Sequence, residues 1–300
     1  MSNGWSAACQ AQSWTFSNLE FSLMKLSFFN KPGLPAEAGL PFLPVFVGGP
    51  PRSGTTILHA MICSSDKTNG YINECSYFTA FMHPLQIGLN TFQAHTRHYF
   101  DSREALIRNH AGILEAELGK IWERTGKPEI LALKDPMLTP LFPLLGETLP
   151  YAKFVVSVRD PRATISSRIE VTQREQPGVA VTEQQIQAFC LEYVHMYGMI
   201  VNARPMLGER LCLVDYRDVA GGKAVAQLTA FGLGALDSQR IWAEPISNPR
   251  EYTDDVWATQ LHGQQPSLAS VERFREYLSP AAEHIIVDMC GPIARELGAI

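Results

Sequence analysis

A glycine-rich turn between a short apolar run and a helix start restricts most strongly what this chain can fold into. Residues 44–48 read Pro-Val-Phe-Val-Gly, which is typical of a buried strand, and residues 49–56 read Gly-Pro-Pro-Arg-Ser-Gly-Thr-Thr. The second stretch has the spacing of a phosphate-binding loop, G-x-x-x-x-G-K-[ST], whose backbone N–H groups hold an anion at a helix N-terminus. The segment therefore predicts a strand, an anion site and a helix in this order. The alternative is a tight turn that only joins strand and helix.

The loop lacks the lysine that such a sequence normally carries, because Thr55 stands in its place. In nucleotide-triphosphate loops that lysine reaches the β- and γ-phosphates and the next hydroxyl helps to hold Mg²⁺, so its loss argues against a nucleoside triphosphate. Arg52 offers a replacement cation, since a planar guanidinium suits a phosphate or sulfate group. We therefore expect an anion of another kind, bound by Arg52 and by the backbone amides from Ser53 through Gly54 to Thr56.

A second segment places further anion-binding groups at the end of another strand. Residues 153–158 form a β-branched run, Arg159 follows it directly, and Pro161 favours a helix start that puts Ser167 in the early turns. The carboxyl ends of parallel strands line the ligand crevice of open α/β sheets, so Arg159 and Ser167 are placed to hold a second anionic group. Two anion sites on one sheet suggest a nucleotide with two phosphate groups. The alternative is a surface ion pair between Arg159 and Asp160.

Taken together, these segments resemble the sulfotransferase superfamily, whose sulfuryl donor is 3′-phosphoadenosine 5′-phosphosulfate (PAPS), and are most similar to its tyrosylprotein sulfotransferase branch. The ordered set of segments is far more specific than any one of them. The matched segments are Phe46 to Thr56, Lys134 to Pro136, Val158 to Ala163 and Leu213 to Tyr216. The resemblance implies an α/β chain with a three-layer, P-loop-like fold, in which helices flank a central parallel sheet. It also implies one sulfotransferase domain over residues 44–300, and we expect residues 1–43 to form an N-terminal extension that packs on it.

The resemblance implies a role for each candidate site residue. Glu74 matches the glutamate that acts as general base in the tyrosylprotein branch, although Ile-Asn-Glu replaces the usual Gly-Glu-Glu. Lys134 and Arg52 are expected to stabilise the negative charge that grows on the leaving nucleotide. PAPS is the expected co-substrate and 3′,5′-adenosine bisphosphate (PAP) the product, with no metal ion. The residues expected to bind the nucleotide are Arg52, Ser53, Gly54, Thr55, Thr56, Arg159, Ser167 and Tyr216, the last near the adenine.

Histidine is the base in many cytosolic sulfotransferases, where it lies two residues after a lysine that matches Lys134. This chain has Pro136 at that position, which closes the histidine route there. Glu74 is therefore the preferred base. The histidines near enough in sequence to be rivals are His59, His83, His95 and His98.

The order of apolar runs predicts the layout of the fold. Runs at 44–48, 130–134, 153–158 and 210–215 are separated by segments long enough for helical crossovers, which indicates a parallel sheet. Asp101 to Glu104 and Thr182 to Gln185 have the capping-box pattern of helix starts. A further helix is expected to start at Ser279-Pro280.

Composition limits the partners and the compartment. The net charge of −5 offers no basic face for a polyanion, so nucleic acid is not expected as a partner. The six cysteines include no C-x-x-C pair, and no apolar run reaches the roughly 20 residues of a membrane helix. With no signal-peptide pattern at Met1-Ser-Asn-Gly-Trp5, we expect a cytoplasmic protein without a membrane partner. A homodimer formed through the first forty residues remains an open alternative.

The acceptor is the least constrained part of the prediction. Without a secretory signal or a basic surface, a hydroxyl or amine of a small-molecule metabolite is favoured over the tyrosine of a protein or peptide. A P-loop small-molecule kinase is a rival, because residues 211–215 resemble the acidic strand that holds Mg²⁺. A degenerate nucleotide-binding scaffold is a further alternative. Residues 248–255 are expected to cover the nucleotide.

Overall fold

Four strands form a single parallel sheet in the computed structural model, which describes residues 39–242, 245 and 263–300. The strands are β1 (Leu43–Gly48), β2 (Ile130–Lys134), β3 (Lys153–Val158) and β4 (Leu211–Asp215), arranged in the order β2-β1-β3-β4. The register pairs Val47 with Lys134 and Gly48 with Val156. The carboxyl ends of the strands that carry the candidate residues therefore meet at one edge of the sheet, as predicted.

Helices make up most of the remaining described chain. They are α1 (Thr55–Ile62), α2 (Ser76–Asn90), α3 (Arg103–Arg124), α4 (Phe142–Thr148), α5 (Pro161–Glu175), α6 (Glu183–Leu207), α7 (Tyr216–Ala220), α8 (Ala224–Ala230) and α9 (Pro280–Glu296). Short 3₁₀ turns occur at Pro136–Leu141, Leu268–Ser270 and Arg273–Glu276, among other places.

The sheet separates two hydrophobic cores. Along β1, Val45 and Val47 point to one core, which they share with Leu58 of α1, while Phe46 points to the other. The Phe46 ring lies 5.5 Å from the ring of Phe78 in α2. This alternation follows from the two-residue period of a strand, and burial on both faces explains why β1 is apolar throughout. The predicted three-layer arrangement with a central parallel sheet is confirmed.

Helix starts follow the predicted caps with one exception. The capping box at Thr182 and Gln185 is present, and the Ser279 side chain caps α9. At α3, however, Ser102 is the N-cap and accepts a hydrogen bond from the amide of Ala105. The prediction that Asp101 begins the capping box was therefore wrong by one residue, because both residues favour a cap.

Part of the predicted domain organisation lies outside the described residues. Residues 1–38, and so most of the expected extension 1–43, are not among them, and neither are residues 248–255. Within residues 39–43, Phe42 is buried and stacks on Trp122 with ring centroids 5.2 Å apart, so it belongs to the core of the domain. In the described part of the chain, no helix is both long and apolar enough to span a bilayer.

Candidate active site

The turn after β1 is held by a network of backbone contacts. The amide of Gly49 donates to Thr139 Oγ1 at 2.8 Å, and the Ser157 hydroxyl donates to the carbonyl of Ser53 at 2.7 Å. Gly54 has φ +97°, and a Cβ there would lie 2.3 Å from the ring of Tyr216, so only glycine fits. No described side chain caps α1, so among the described residues its first amide groups have neither an intrahelical nor a capping partner. The loop thus presents N–H groups of the kind that bind anions.

Arg52 reaches from this loop to the helix after β3. Its Nε donates to Ser167 Oγ at 3.1 Å, which joins two residues that the sequence placed in separate anion sites. Its φ of +72° is rare for a residue with a side chain and costs on the order of 1–2 kcal/mol. Burial, with a smaller contribution from Arg159, lowers the pKa of Arg52 to about 10. The guanidinium therefore stays charged at neutral pH.

Arg159 occupies the end of β3 and contacts the loop directly. Its Nη1 donates to the carbonyl of Arg52 and its Nη2 to the carbonyl of Ser270, both at 2.8 Å. The guanidinium carbon lies 4.2 Å from the ring centroid of Tyr216. Its Nε is enclosed and has no partner in the described part of the chain. A guanidinium has five N–H donors, so three remain for a ligand.

The surface pair between Arg159 and Asp160, which was the alternative to an anion site, does not form. Asp160 instead binds Arg162, with Oδ2 2.7 Å from Nη2, and accepts from the Arg162 amide at the start of α5. Within the residues described, no carboxylate lies within ion-pair distance of Arg159. Burial lowers the pKa of Arg159, and such a cation without a counter-ion favours an anionic ligand.

Lys134 brings the candidate base to the phosphate loop. Its Nζ donates to Glu74 Oε1 at 2.9 Å and to Thr56 Oγ1 at 3.3 Å. The Cys75 amide donates to the Lys134 carbonyl at 2.9 Å, and this contact fixes the segment that carries Glu74 beside β2. The Lys134 side chain is 3% exposed and that of Glu74 is 48% exposed. The carboxylate is therefore open to an acceptor while the ammonium is enclosed.

Asp135, which follows Lys134 in the chain, has a structural role. Its carboxylate accepts hydrogen bonds from Thr79 Oγ1 at 2.6 Å and from the Met137 amide at 2.9 Å. Burial raises the pKa of Asp135. Lys134 thus pairs with Glu74 and not with its neighbour in the chain.

One cavity of about 790 Å³ joins these groups. Nine of the ten candidate site residues line it, and they are Arg52, Gly54, Thr55, Thr56, Glu74, Lys134, Arg159, Ser167 and Tyr216. Ser53 is the exception: it is fully buried beneath the loop, and its amide donates to the carbonyl of Pro50 at 3.0 Å. Its amide is thus occupied within the turn, and its expected contact with the anion stays a prediction.

Tyr216 forms a wall of the cavity. One side of its ring packs against Gly54, Arg159 lies over the ring, and its hydroxyl lies 2.6 Å from Ser270 Oγ. The expected contact between Tyr216 and the adenine stays a prediction. In the structure the ring lies between Gly54 of the loop and Arg159, which follows β3.

The rival bases and the rival metal ligand lie elsewhere. Among the described residues, no histidine lines the cavity. His59 is fully buried between α1 and β2, where its Nε2 contacts the carbonyl of Ala132 at 3.0 Å, and burial lowers its pKa to about 3. Asp215, which suggested a kinase, caps α7 and pairs with Arg217 instead of lining the cavity.

Several cavity residues were not predicted from the sequence. Tyr71, Asn73 and Met137 lie beside the residues predicted there, but no motif marks them. Ser270 and Arg273 come from a segment more than fifty residues beyond the last matched motif. Arg273 pairs with Glu170 at 3.1 Å. Ser270 and Arg273 therefore reach the cavity through tertiary packing and not through a motif.

Comparison with known families identifies the chain. The model described as "Sulfotransferase family" matches residues 44–224, which include β1, the loop, β2, β3 and β4. The chain belongs to the sulfotransferase family. The predicted membership is thereby confirmed.

Curated relatives include protein-tyrosine sulfotransferases. The chain is 29% identical to "Protein-tyrosine sulfotransferase 1" of Danio rerio over 134 residues, which cover 42% of this chain and 35% of that protein. It is 30% identical to the protein of the same name from Homo sapiens, over 42% of this chain and 33% of that protein. The match thus spans about a third of the length of these relatives.

Solved sulfotransferase structures share the fold. The "Sulfotransferase Domain from the Synechococcus PCC 7002 Olefin Synthase" superposes with a TM-score of 0.55 at 18% identity, covering 88% of this chain and 98% of that one. The "Sulfotransferase Domain from the Curacin Biosynthetic Pathway" gives a TM-score of 0.50 at 16% identity, covering 85% and 99%. In the part of this chain that the structure describes, there is no cluster of metal-ligating side chains.

Proposed function

We propose that this protein transfers a sulfuryl group from PAPS to the hydroxyl group of an acceptor. The observation that carries this proposal is the position of Lys134, which contacts both the half-exposed carboxylate of Glu74 and the hydroxyl of Thr56 on the phosphate loop. A candidate proton acceptor and a cation thus lie beside the loop in one cavity. Sulfuryl transfer needs this combination.

One end of the cavity contains the start of α1, Arg52, Arg159 and Ser167, and we call it the donor end. It suits a nucleotide with two anionic groups. The start of α1 and Arg52 line the cavity, as do Arg159, which follows β3 directly, and Ser167 of α5. Because Arg52 contacts Ser167 and its carbonyl contacts Arg159, the two groups are close enough to serve one nucleotide. PAPS, with charged groups at both the 3′ and 5′ positions, fits this donor set.

The other end of the cavity, which contains Glu74 and Lys134, is the acceptor end. In the proposed reaction each of these two residues has its own role. Glu74 takes the proton of the acceptor hydroxyl as the oxygen–sulfur bond forms, and a positioned base of this kind is typically worth 10²- to 10⁴-fold. The bond between sulfur and the bridging phosphate oxygen breaks, and PAP leaves with the electron pair. Lys134 and the amides of Thr55 and Thr56 stabilise the charge that develops on that oxygen.

The relatives support a tyrosine hydroxyl as acceptor better than the small metabolite that the sequence favoured. Two proteins whose names specify protein tyrosine each match over 134 residues, which is 42% of this chain. A phenolic acceptor is therefore our first candidate. The small-molecule acceptor, the cytoplasmic location and the homodimer stay predictions.

Two measurements test the proposal. In a thermal-shift assay, PAP without Mg²⁺ should raise the melting temperature, whereas ATP with Mg²⁺ should have a much smaller effect. Transfer of ³⁵S-sulfate from labelled PAPS to a tyrosine peptide or a simple phenol should then be detectable. Stabilisation by ATP with Mg²⁺ and none by PAP would favour the kinase and contradict the proposal.

A further inference from the structure

Two tyrosines of α6 hold the backbone that carries Arg159. The Tyr197 hydroxyl donates to the carbonyl of Ser157 at 2.7 Å and accepts from the amide of Arg159 at 3.2 Å. The Tyr193 hydroxyl donates to the carbonyl of Arg159 at 2.8 Å. The two tyrosines are one helical turn apart, and their rings meet edge to face with centroids 4.7 Å apart. We call Tyr193 and Tyr197 the α6 tyrosine pair.

The backbone at the end of β3 needs partners from outside the sheet. Val156 is the last β3 residue that pairs with β1, and Val158 is the last that pairs with β4. Arg159 therefore lies beyond the strand pairs. Buried backbone N–H and C=O groups require hydrogen-bond partners, and a hydroxyl can supply both kinds because it donates one hydrogen bond and accepts others. The α6 tyrosine pair satisfies the amide and the carbonyl of Arg159 in this way.

Both hydroxyl groups are enclosed and stay protonated. Tyr197 is 0% exposed and Tyr193 is 1% exposed. Burial raises the pKa of both hydroxyl groups, so each keeps the proton that it donates. Neither tyrosine is among the described residues that line the cavity. The pair therefore contacts the residue that faces a ligand, not the ligand itself.

The two halves of Arg159 are held from different directions. Its guanidinium donates to the carbonyl groups of Arg52 and Ser270, while its backbone binds the α6 tyrosine pair. Tyr197 also reaches the phosphate loop indirectly, because its partner Ser157 donates through its hydroxyl to the carbonyl of Ser53. The helix α6 thus fixes where Arg159 stands relative to the loop.

We propose that Tyr193 and Tyr197 are positioning residues, which keep Arg159 aligned with the anionic group at the 3′ position of the nucleotide. This inference rests on the proposed function, because it takes PAP and PAPS as the ligands. Without the two hydroxyls, the end of β3 has more than one arrangement, and only the fraction with Arg159 in place binds the 3′ group. The apparent affinity falls by that fraction. A nucleotide without a 3′-phosphate does not use Arg159 and is unaffected.

The first experiment measures the affinities of the full-length protein for PAP and 5′-AMP by calorimetry. Tyr197→Phe should weaken PAP binding about fivefold and Tyr193→Phe about threefold, while both keep the wild-type affinity for 5′-AMP within about twofold. The matched control is Tyr151→Phe, which removes a hydroxyl that donates to Glu115 Oε1 at 2.7 Å, on a ring that packs against the same core. It should bind both nucleotides like the wild type.

Melting temperatures separate positioning from general stability. All three variants lose a hydrogen bond and should melt at lower temperature than the wild type. A purely structural role of the α6 tyrosine pair would lower the melting temperature without changing the ratio of the two affinities. In steady-state assays, the positioning role predicts a higher KM for PAPS, with kcat at saturating PAPS within about twofold of the wild type.

A double variant tests whether the pair acts through Arg159. In the Arg159→Gln background, Tyr197→Phe should change PAP affinity by less than about twofold, because the group that it positions is already absent. Independent, multiplicative losses from Tyr197→Phe and Arg159→Gln would overturn the inference. Where Tyr197→Phe melts below the assay temperature, Tyr193→Phe replaces it in this comparison, since it removes the partner of a single carbonyl group.

The outcomes separate this inference from the function on which it rests. If Tyr193→Phe and Tyr197→Phe keep the wild-type ratio of PAP to 5′-AMP affinity, the inference is wrong and the sulfotransferase proposal stands. Equal losses for the two nucleotides would have the same meaning. If the wild type itself does not bind PAP, both proposals are contradicted.

Discussion

The two ends of the cavity are built in different ways. The donor end consists of groups held by backbone contacts: Arg159 binds two carbonyl groups, and Gly54 packs against Tyr216 with no room for a Cβ. The acceptor end consists of side chains that keep considerable exposure, 48% for Glu74 and 53% for Met137. Under the proposed function, the donor end is therefore preorganised for one ligand, while the acceptor end allows substitutions that change specificity.

Lys134 is where the two ends meet. It extends from β2, whose position in the sheet is fixed by pairing with β1, and it contacts Glu74 on one side and Thr56 on the other. Changes at Glu74 and Lys134 should therefore affect turnover, whereas changes at Arg159 should affect nucleotide binding.

The largest expected effect comes from Glu74→Gln. Removal of the proton acceptor should lower kcat by 10²- to 10⁴-fold, while the PAP dissociation constant stays within about twofold. Steady-state kinetics and calorimetry give the two values. Glu129→Gln, at a surface pair with Lys67, is the matched control and should behave like the wild type. Full activity of Glu74→Gln would place the base elsewhere.

Lys134→Met should produce the next largest effect. Loss of the enclosed ammonium beside the leaving oxygen should lower kcat by about 10²- to 10³-fold, by analogy with the removal of one oxyanion donor. Stability should change little because Glu74 is half-exposed and can be solvated. Single-turnover assays check the rate, and Lys67→Met serves as the control. A variant with lower PAP affinity and unchanged kcat would show that Lys134 belongs to the donor end only.

Arg159→Gln should weaken PAP binding by about 10- to 100-fold, because charge-assisted hydrogen bonds typically contribute 1.5–3 kcal/mol. The melting temperature should also fall, since the carbonyl groups of Arg52 and Ser270 lose a donor. Arg275→Gln, 63% exposed and outside this cavity, should leave both values unchanged. If Arg159→Gln binds PAP normally, the donor end does not use Arg159.

The smallest effect concerns the contact between α1 and β2 at His59. The pKa of His59 is about 3 in the folded protein, against 6.5 for an ordinary histidine, so below pH 6.5 the unfolded chain binds a proton that the native state does not. Stability should therefore fall with pH between 6.5 and 3, by up to about 1.4 kcal/mol per pH unit. The Ala132 carbonyl keeps a hydrogen bond from Asn69 in His59→Leu.

Urea denaturation at pH 7.5 and pH 5.0 measures this effect. The wild type should lose about 2 kcal/mol more than His59→Leu between the two pH values. The same loss in both proteins would show that His59 does not titrate as its burial indicates.

The residues assigned to the donor end lie in contiguous motifs, and for this reason the sequence predicted that they lie close together. Gly54, Arg52 and Arg159 each follow a strand or open a helix, so the position of the strands in the sheet determines where they lie. Strand and helix bounds were predicted within one or two residues wherever a β-branched run or a capping residue marked them.

Other features of the site could not be predicted from the sequence because they depend on backbone geometry or on tertiary packing. Ser53 lies in the loop motif, but its amide is occupied by the turn itself, which only the backbone geometry reveals. Trp242 and Ser270 come from segments whose position depends on packing between distant parts of the chain. Met137 is an exposed apolar residue, and nothing in its neighbours indicates that it lines a cavity.

Calorimetry with 3′,5′-adenosine bisphosphate and 5′-AMP tests most directly whether one cavity binds an adenosine with anionic groups at its 3′ and 5′ positions. We predict that the wild type binds the bisphosphate at least tenfold more tightly than 5′-AMP, without Mg²⁺, and that Arg159→Gln loses most of this preference. Equal affinities of the wild type for the two nucleotides would contradict the account.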